Sequence, residues 1–192
     1  MLDASTLWYV GRGSGLVAEV VLTAVVVLGA IASAPGGPGA VRRRVVTQGL
    51  HRQLTLAGVV LLVVHISTLV LDRYVDLDSI DVLVPFGSTY RRAYLGLGTL
   101  AVDLLAVVVV TSLLRRRMSP GLWRGAHFAA YAAWLLAVAH GLLSGTDVGS
   151  SWVRWLAAGC VGAVGMAVTF RVESARSARR HAPVGARLEA RP

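Results

Sequence analysis

Four histidines are the residues in this chain whose type and spacing suit chemistry. His51 and His65 stand fourteen positions apart in one long apolar stretch, 49–71, and His127 and His140 stand thirteen apart in another, 125–146. At about 1.5 Å per helical residue each pair spans about 20 Å, two-thirds of a bilayer core of about 30 Å. Two such helices can clamp two metal centres at two depths, and neutral imidazole is a usual protein ligand of haem iron. A lone membrane histidine often does no more than hydrogen-bond a neighbouring helix. Four of them, two per helix and in depth register, favour ligation, because ionisable groups inside a span mark functional sites. The fifth, His181, lies in the C-terminal tail and is expected to be solvated.

The elements that must position these histidines follow from composition. The chain has 192 residues, is 55% hydrophobic and only 15% charged, and its mean hydropathy is +0.65. A soluble domain carries about a quarter charged residues. The apolar residues fall in runs near bilayer length, which predicts an all-α integral membrane bundle of five transmembrane helices. The expected spans are 15–33, 49–71, 93–114, 125–146 and 152–170. Residues 1–172 form one domain, and 173–192, rich in Arg, Ala and Ser, are expected to be a disordered basic tail. Ala32-Ser33-Ala34 has the form of a signal-peptidase site. The segment before the first apolar run has no net charge, however, and Arg42-Arg43-Arg44 follows it, so a retained span is the better reading. The single cysteine, Cys160, excludes an internal disulfide and a thiolate-held iron–sulfur cluster. The net charge of +9 is placed in arginine clusters beside the spans, which fits membrane topology rather than nucleic-acid binding.

Those arginines set the expected orientation. Arg42, Arg43, Arg44 and Arg52, then Arg115, Arg116, Arg117 and Arg124, then the tail arginines, lie on one side; Arg12, Arg73, Arg91, Arg92 and Arg154 lie on the other with most loop aspartates. The positive-inside rule puts the N-terminus outside and the C-terminus inside a multi-pass protein of the cell membrane. The two His-bearing helices then run in the same direction. Pairing in register joins His51 to His127 at the cytoplasmic side and His65 to His140 at the outer side. Fourteen residues return a helix to within about 40° of the same face, whereas thirteen leave it about 140° away. The fourth helix therefore needs a bend or a bulge, or the two cofactors approach it from different sides.

Beyond the histidines, Gly49-Leu50-His51-Arg52 with His65, and Leu122-Trp-Arg-Gly-Ala-His-Phe-Ala-Ala-Tyr131 with His140, resemble the ferric reductase-like transmembrane domain family. So does Val84-Pro-Phe-Gly-Ser-Thr-Tyr-Arg-Arg-Ala-Tyr-Leu-Gly-Leu-Gly98 followed by Thr111-Ser-Leu-Leu-Arg115, which is similar to bacterial members. That family includes the membrane parts of ferric-chelate reductases and NADPH oxidases and the haem subunit of the bacterial methionine sulfoxide reductase system. The resemblance covers about residues 8 to 172. It implies two stacked haems b held by His51, His65, His127 and His140, passing electrons across the membrane. About twenty residues follow the last expected span, too few for a nucleotide-binding domain, so no flavin or nicotinamide site is expected here. Gly11-Arg-Gly-Ser-Gly15 is not a dinucleotide fingerprint, because an apolar span follows it and no strand precedes it.

Haem propionates are anionic and need cationic partners. The candidates are Arg44, Arg52 and Arg124 inside and Arg73, Arg91 and Arg92 outside, although each also serves topology or lipid headgroups. Gly58 could leave room for a porphyrin. Tyr131 and Trp134 line the cavity or fill the core. Gly159, Gly162 and Gly165 suggest close helix packing. The intramembrane carboxylates Glu19 and Asp103 could pair with each other, contact an arginine or relay protons. Asp72, Asp76, Asp78 and Asp81 make an acidic outer loop. Three functions suit this set. The first is a reductase-type haem subunit, taking electrons from a separate cytoplasmic flavoprotein or quinol and passing them to an outer-face acceptor. The second is the quinol-oxidising cytochrome b of a respiratory complex, and the third is a membrane scaffold without cofactor.

Overall fold

The computed structural model describes residues 4–35, 39–72, 79–89, 91–144 and 149–180. Five helices dominate it: α1 (Ala4–Ala32), α2 (Ala40–Leu71), α3 (Arg92–Leu113), α4 (Pro120–Ser144) and α5 (Ser151–Arg180). All five are long and apolar enough to cross a membrane, and no strand occurs among the described residues. Many of their residues are valine and leucine, and valine has only modest helix propensity in water. In hydrocarbon the backbone must satisfy its own hydrogen bonds, and the helix does so within one segment.

The helix ends differ from the sequence expectation. Helix α1 begins at Ala4, and α2 begins at Ala40, so Arg42, Arg43 and Arg44 lie in its opening turns rather than in a loop. Gly39, with φ of 85°, supplies the left-handed turn that admits α2. Helix α4 starts at Pro120, where the missing proline N–H is one the first turn would leave unbonded anyway. Helix α5 continues to Arg180, so the tail expected to be disordered is helical over its first eight residues. The rest of the tail, with His181, lies outside the described residues.

Helix α1 is central. It packs along α2, touches α4 and α5, and buries Ala18, Leu22, Val26 and Ala30 at four-residue intervals. Leu22 and Val26 meet Trp134 and Val138 of α4 and Ala157, Cys160 and Val164 of α5 in the core. Trp134 Nε1 donates to Thr23 Oγ1 at 2.9 Å, a buried link between α1 and α4. Trp134 is therefore a core residue, and the Tyr131 ring packs against the same cluster. Helix α3 packs on α4. The His-bearing helices α2 and α4 make no extensive contact with each other.

Two glycine expectations are corrected. A Cβ on Gly58 would stand 3.3 Å from Leu22, so this glycine seats α2 against α1 and does not open space for a macrocycle. A Cβ on Gly159, Gly162 or Gly165 would meet nothing. The packing face of α5 is Val153, Ala157, Cys160, Val164 and Ala167, alternating steps of four and three. Alanine and cysteine provide its close approach, and the glycines face outward.

Candidate metal centres

The histidines stand in two layers, one near each end of the bundle. In the first, the His51 and His127 ring centroids are 6.3 Å apart, with their planes inclined at 62°. In the second, His65 and His140 lie within electrostatic reach of each other.

Three of the four rings are fixed through Nδ1. His65 donates to the Gly11 carbonyl at 2.7 Å, His51 to the Val25 carbonyl at 2.9 Å, and His140 to the Tyr94 carbonyl at 2.8 Å. A carbonyl can only accept, so Nδ1 carries the proton and Nε2 holds the free lone pair. His127 Nδ1 faces a hydroxyl instead, Ser112 Oγ at 3.4 Å. Ser144 Oγ adds a longer contact of 3.4 Å to His140 Nδ1.

Glycines make this possible. A Cβ on Gly15 would stand 2.9 Å from the His65 ring, and one on Gly98 would stand 2.8 Å from the His140 ring. One on Gly29 would be 3.4 Å from His51. In each case the glycine lies four residues after the accepting carbonyl: Gly11 and Gly15, Val25 and Gly29, Tyr94 and Gly98. In an α-helix the side chain at i+4 stands beside the carbonyl of residue i. Without that side chain, an imidazole from the next helix reaches the oxygen. On α1 the unit recurs after fourteen residues, matching the fourteen between His65 and His51 on antiparallel α2. These glycines were not singled out from the sequence. Their fourteen-residue echo of the histidines is the signal that would have found them.

Helix α4 is α-helical throughout Pro120–Ser144. His127 meets Ser112 of α3, and His140 meets Tyr94 and Gly98 of the same helix. Trp123, one turn before His127, stacks on its ring at 5.0 Å and 24°, and the Arg115 guanidinium lies 4.4 Å over Trp123.

The six arginines expected at the site do not form one group. Arg44, Arg52 and Arg124 are exposed at the end of the His51/His127 layer. Arg124 lines a small cavity with Arg115, Met118 and Trp123. At the other end, Arg91 donates to the Ser144 carbonyl at 3.3 Å and Arg92 to the Phe86 carbonyl at 2.6 Å, so both brace the turn that leads into α3. Arg73, Asp76 and Asp78 lie outside the described residues. The cation missed by sequence reasoning is Arg12 on α1, which lies within electrostatic reach of His65, His140 and Glu19. Glu19 Oε2 faces Gly141 on α4, and Oε1 is buried without a hydrogen-bond partner among the described residues. No bond joins Glu19 to Asp103 among the described residues. No group of three or more His, Cys, Asp or Glu among the described residues could hold a metal ion.

Five apolar helices, each long enough to cross a membrane, define a multi-pass membrane protein. The chain matches the family model of the ferric reductase-like transmembrane component over residues 14–138, well over half its length, and belongs to that family. The matched segment contains His51, His65 and His127 and ends two residues before His140. No curated protein and no solved structure matches the chain. Family membership points to electron transfer within the membrane.

Proposed function

We propose that this chain is a transmembrane b-type cytochrome that carries electrons from a cytoplasmic donor to an acceptor at the outer face of the cell membrane. It would hold two haems b, one between His51 and His127 and one between His65 and His140, with the N-terminus outside and the C-terminus inside. The observation that carries this reading is the Nδ1 anchoring. Carboxylates and carbonyls that take the Nδ1 proton of a metal-binding histidine fix its tautomer and make Nε2 a better ligand. Three rings here are anchored on backbone carbonyls, and glycines clear their approach.

The residues present fit the group. Imidazole–metal bonds of about 2.0–2.1 Å, one to each ring, suit a 6.3 Å separation of ring centroids. Held by His51 with His127 and by His65 with His140, haem would supply one-electron chemistry. The chain's own part is to fix the imidazoles, exclude water with apolar helices and offer cations at both ends. Arg12 joins the outer set as a partner for propionates, and Arg52 and Arg124 are the inner candidates. A separate cytoplasmic flavoprotein or quinol serves as donor in this reading.

The test is the cofactor itself. Protein purified in mild detergent should contain two haems per chain, with low-spin spectra and two midpoint potentials. One haem or none would overturn the reading.

A further inference from the structure

The carbonyl-and-glycine unit occurs at three histidines, and its fourth position departs from the pattern. On α3, Tyr94 and Gly98 anchor and admit His140. Fourteen residues further along the same helix stand Val108 and Ser112, beside His127. The register is the one that α1 uses twice, but serine occupies the glycine position. Its hydroxyl donates to the Val108 carbonyl at 2.6 Å, a back-bond to residue i−4. Ser112 thus occupies the oxygen that would otherwise anchor the imidazole. With its own proton on Val108, Oγ can offer His127 only a lone pair, at 3.4 Å against 2.7–2.9 Å for the other three rings. Stacking by Trp123 steadies the ring from its face instead.

We propose that Ser112 is a positioning residue that weakens the Nδ1 anchor of His127 and thereby raises the potential of the centre His127 shares with His51. This rests on the two-haem reading above. The physical reason is donation: a strong Nδ1–H···O=C bond makes the imidazole a more basic ligand, which favours the oxidised metal. Interposing a hydroxyl removes part of that donation at one centre and leaves the other unchanged. Otherwise similar bis-histidine sites are thereby made unequal.

Redox titration followed by absorption, with electron paramagnetic resonance of the oxidised protein, tests this on wild type, Ser112→Gly, Ser112→Thr and Gly29→Ser. His65→Ala, retaining only the His51/His127 centre, assigns the two midpoints. Ser112→Gly frees the Val108 carbonyl and should lower the midpoint of the His51/His127 centre, with a changed low-spin signal, while the other midpoint stays. Ser112→Thr keeps the hydroxyl and should behave as wild type. Gly29→Ser, whose Cβ meets His51 at only 3.4 Å, installs the serine arrangement beside His51 and should raise the midpoint of the His51/His127 centre. The proposal is overturned if Ser112→Gly leaves both midpoints in place, moves both together or loses haem from the His127 site alone. Should Ser112→Gly fail to hold either haem, Gly29→Ser decides: an unmoved His51/His127 midpoint overturns the proposal. Wild type with two haems and no response to these variants defeats the role of Ser112 and leaves the cofactor reading standing. Wild type without haem defeats both.

Discussion

At the scale of single residues, the imidazoles of His51, His65 and His140 each depend on two groups from another helix, a carbonyl and the missing side chain beside it. This gives graded expectations. An alanine at Gly15 or Gly98 would press its Cβ to within 3 Å of an imidazole ring, closer than real contacts allow. Either substitution should cost most of the His65/His140 haem and spare the other. Gly29→Ala introduces only a 3.4 Å contact with His51, so haem content at the His51/His127 site should fall little. Difference spectra against the histidine variants assign each loss. In the same measurement His51→Ala and His127→Ala should remove the same haem. Loss of different haems from these two variants would show that the rings pair otherwise.

At the scale of elements, α1 supplies the anchors of both α2 histidines, and α3 supplies those of both α4 histidines. The bundle is thus two pairs of helices, α1 with α2 and α3 with α4, joined where α1 meets α4. The buried hydrogen bond from Trp134 to Thr23 lies on that junction. Thr23→Val removes the acceptor at nearly unchanged side-chain volume. Membrane hydrogen bonds of this kind contribute about 0.6 kcal/mol on average and at most about 2. Thermal unfolding in detergent should show a loss within that range, with both haems still bound. A loss of haem from both layers at unchanged stability would contradict the view of this contact as structural only.

At the scale of the whole molecule, the two layers lie about 20 Å apart along the membrane normal, and five spans put the termini on opposite faces. A C-terminal fluorescent-protein fusion should fluoresce, and an N-terminal fusion to a periplasmic reporter should be active. The reverse pattern would invert the proposed direction of transfer. In vesicles holding only this protein, NADPH should leave the haems oxidised, and a cytoplasmic-side flavoprotein or quinol donor should reduce them. An impermeant ferric chelate on the other face should then reoxidise them in wild type and not in His65→Ala. Reoxidation at the wild-type rate in that variant would sink the idea of two centres in series.

The sequence by itself determined the membrane class, the number of helices and the depth of each histidine, because these depend on apolar run length and on rise per residue, which are local properties. It also carried the resemblance that the family match supports. It misjudged helix ends, since an arginine-rich turn such as 42–44 continues a helix once neighbouring turns support it. It misassigned the glycines for a related reason. Whether Gly58, Gly98 or Gly162 meets a helix, an imidazole or open space depends on which face of its helix has a neighbour, and only the tertiary packing decides that. The same packing placed Arg12 beside the outer histidines, turned Trp134 into the core and left α2 and α4 apart. It also brought the Val108–Ser112 turn against His127, where α3 repeats, with a hydroxyl in the glycine's place, a contact that α1 makes twice.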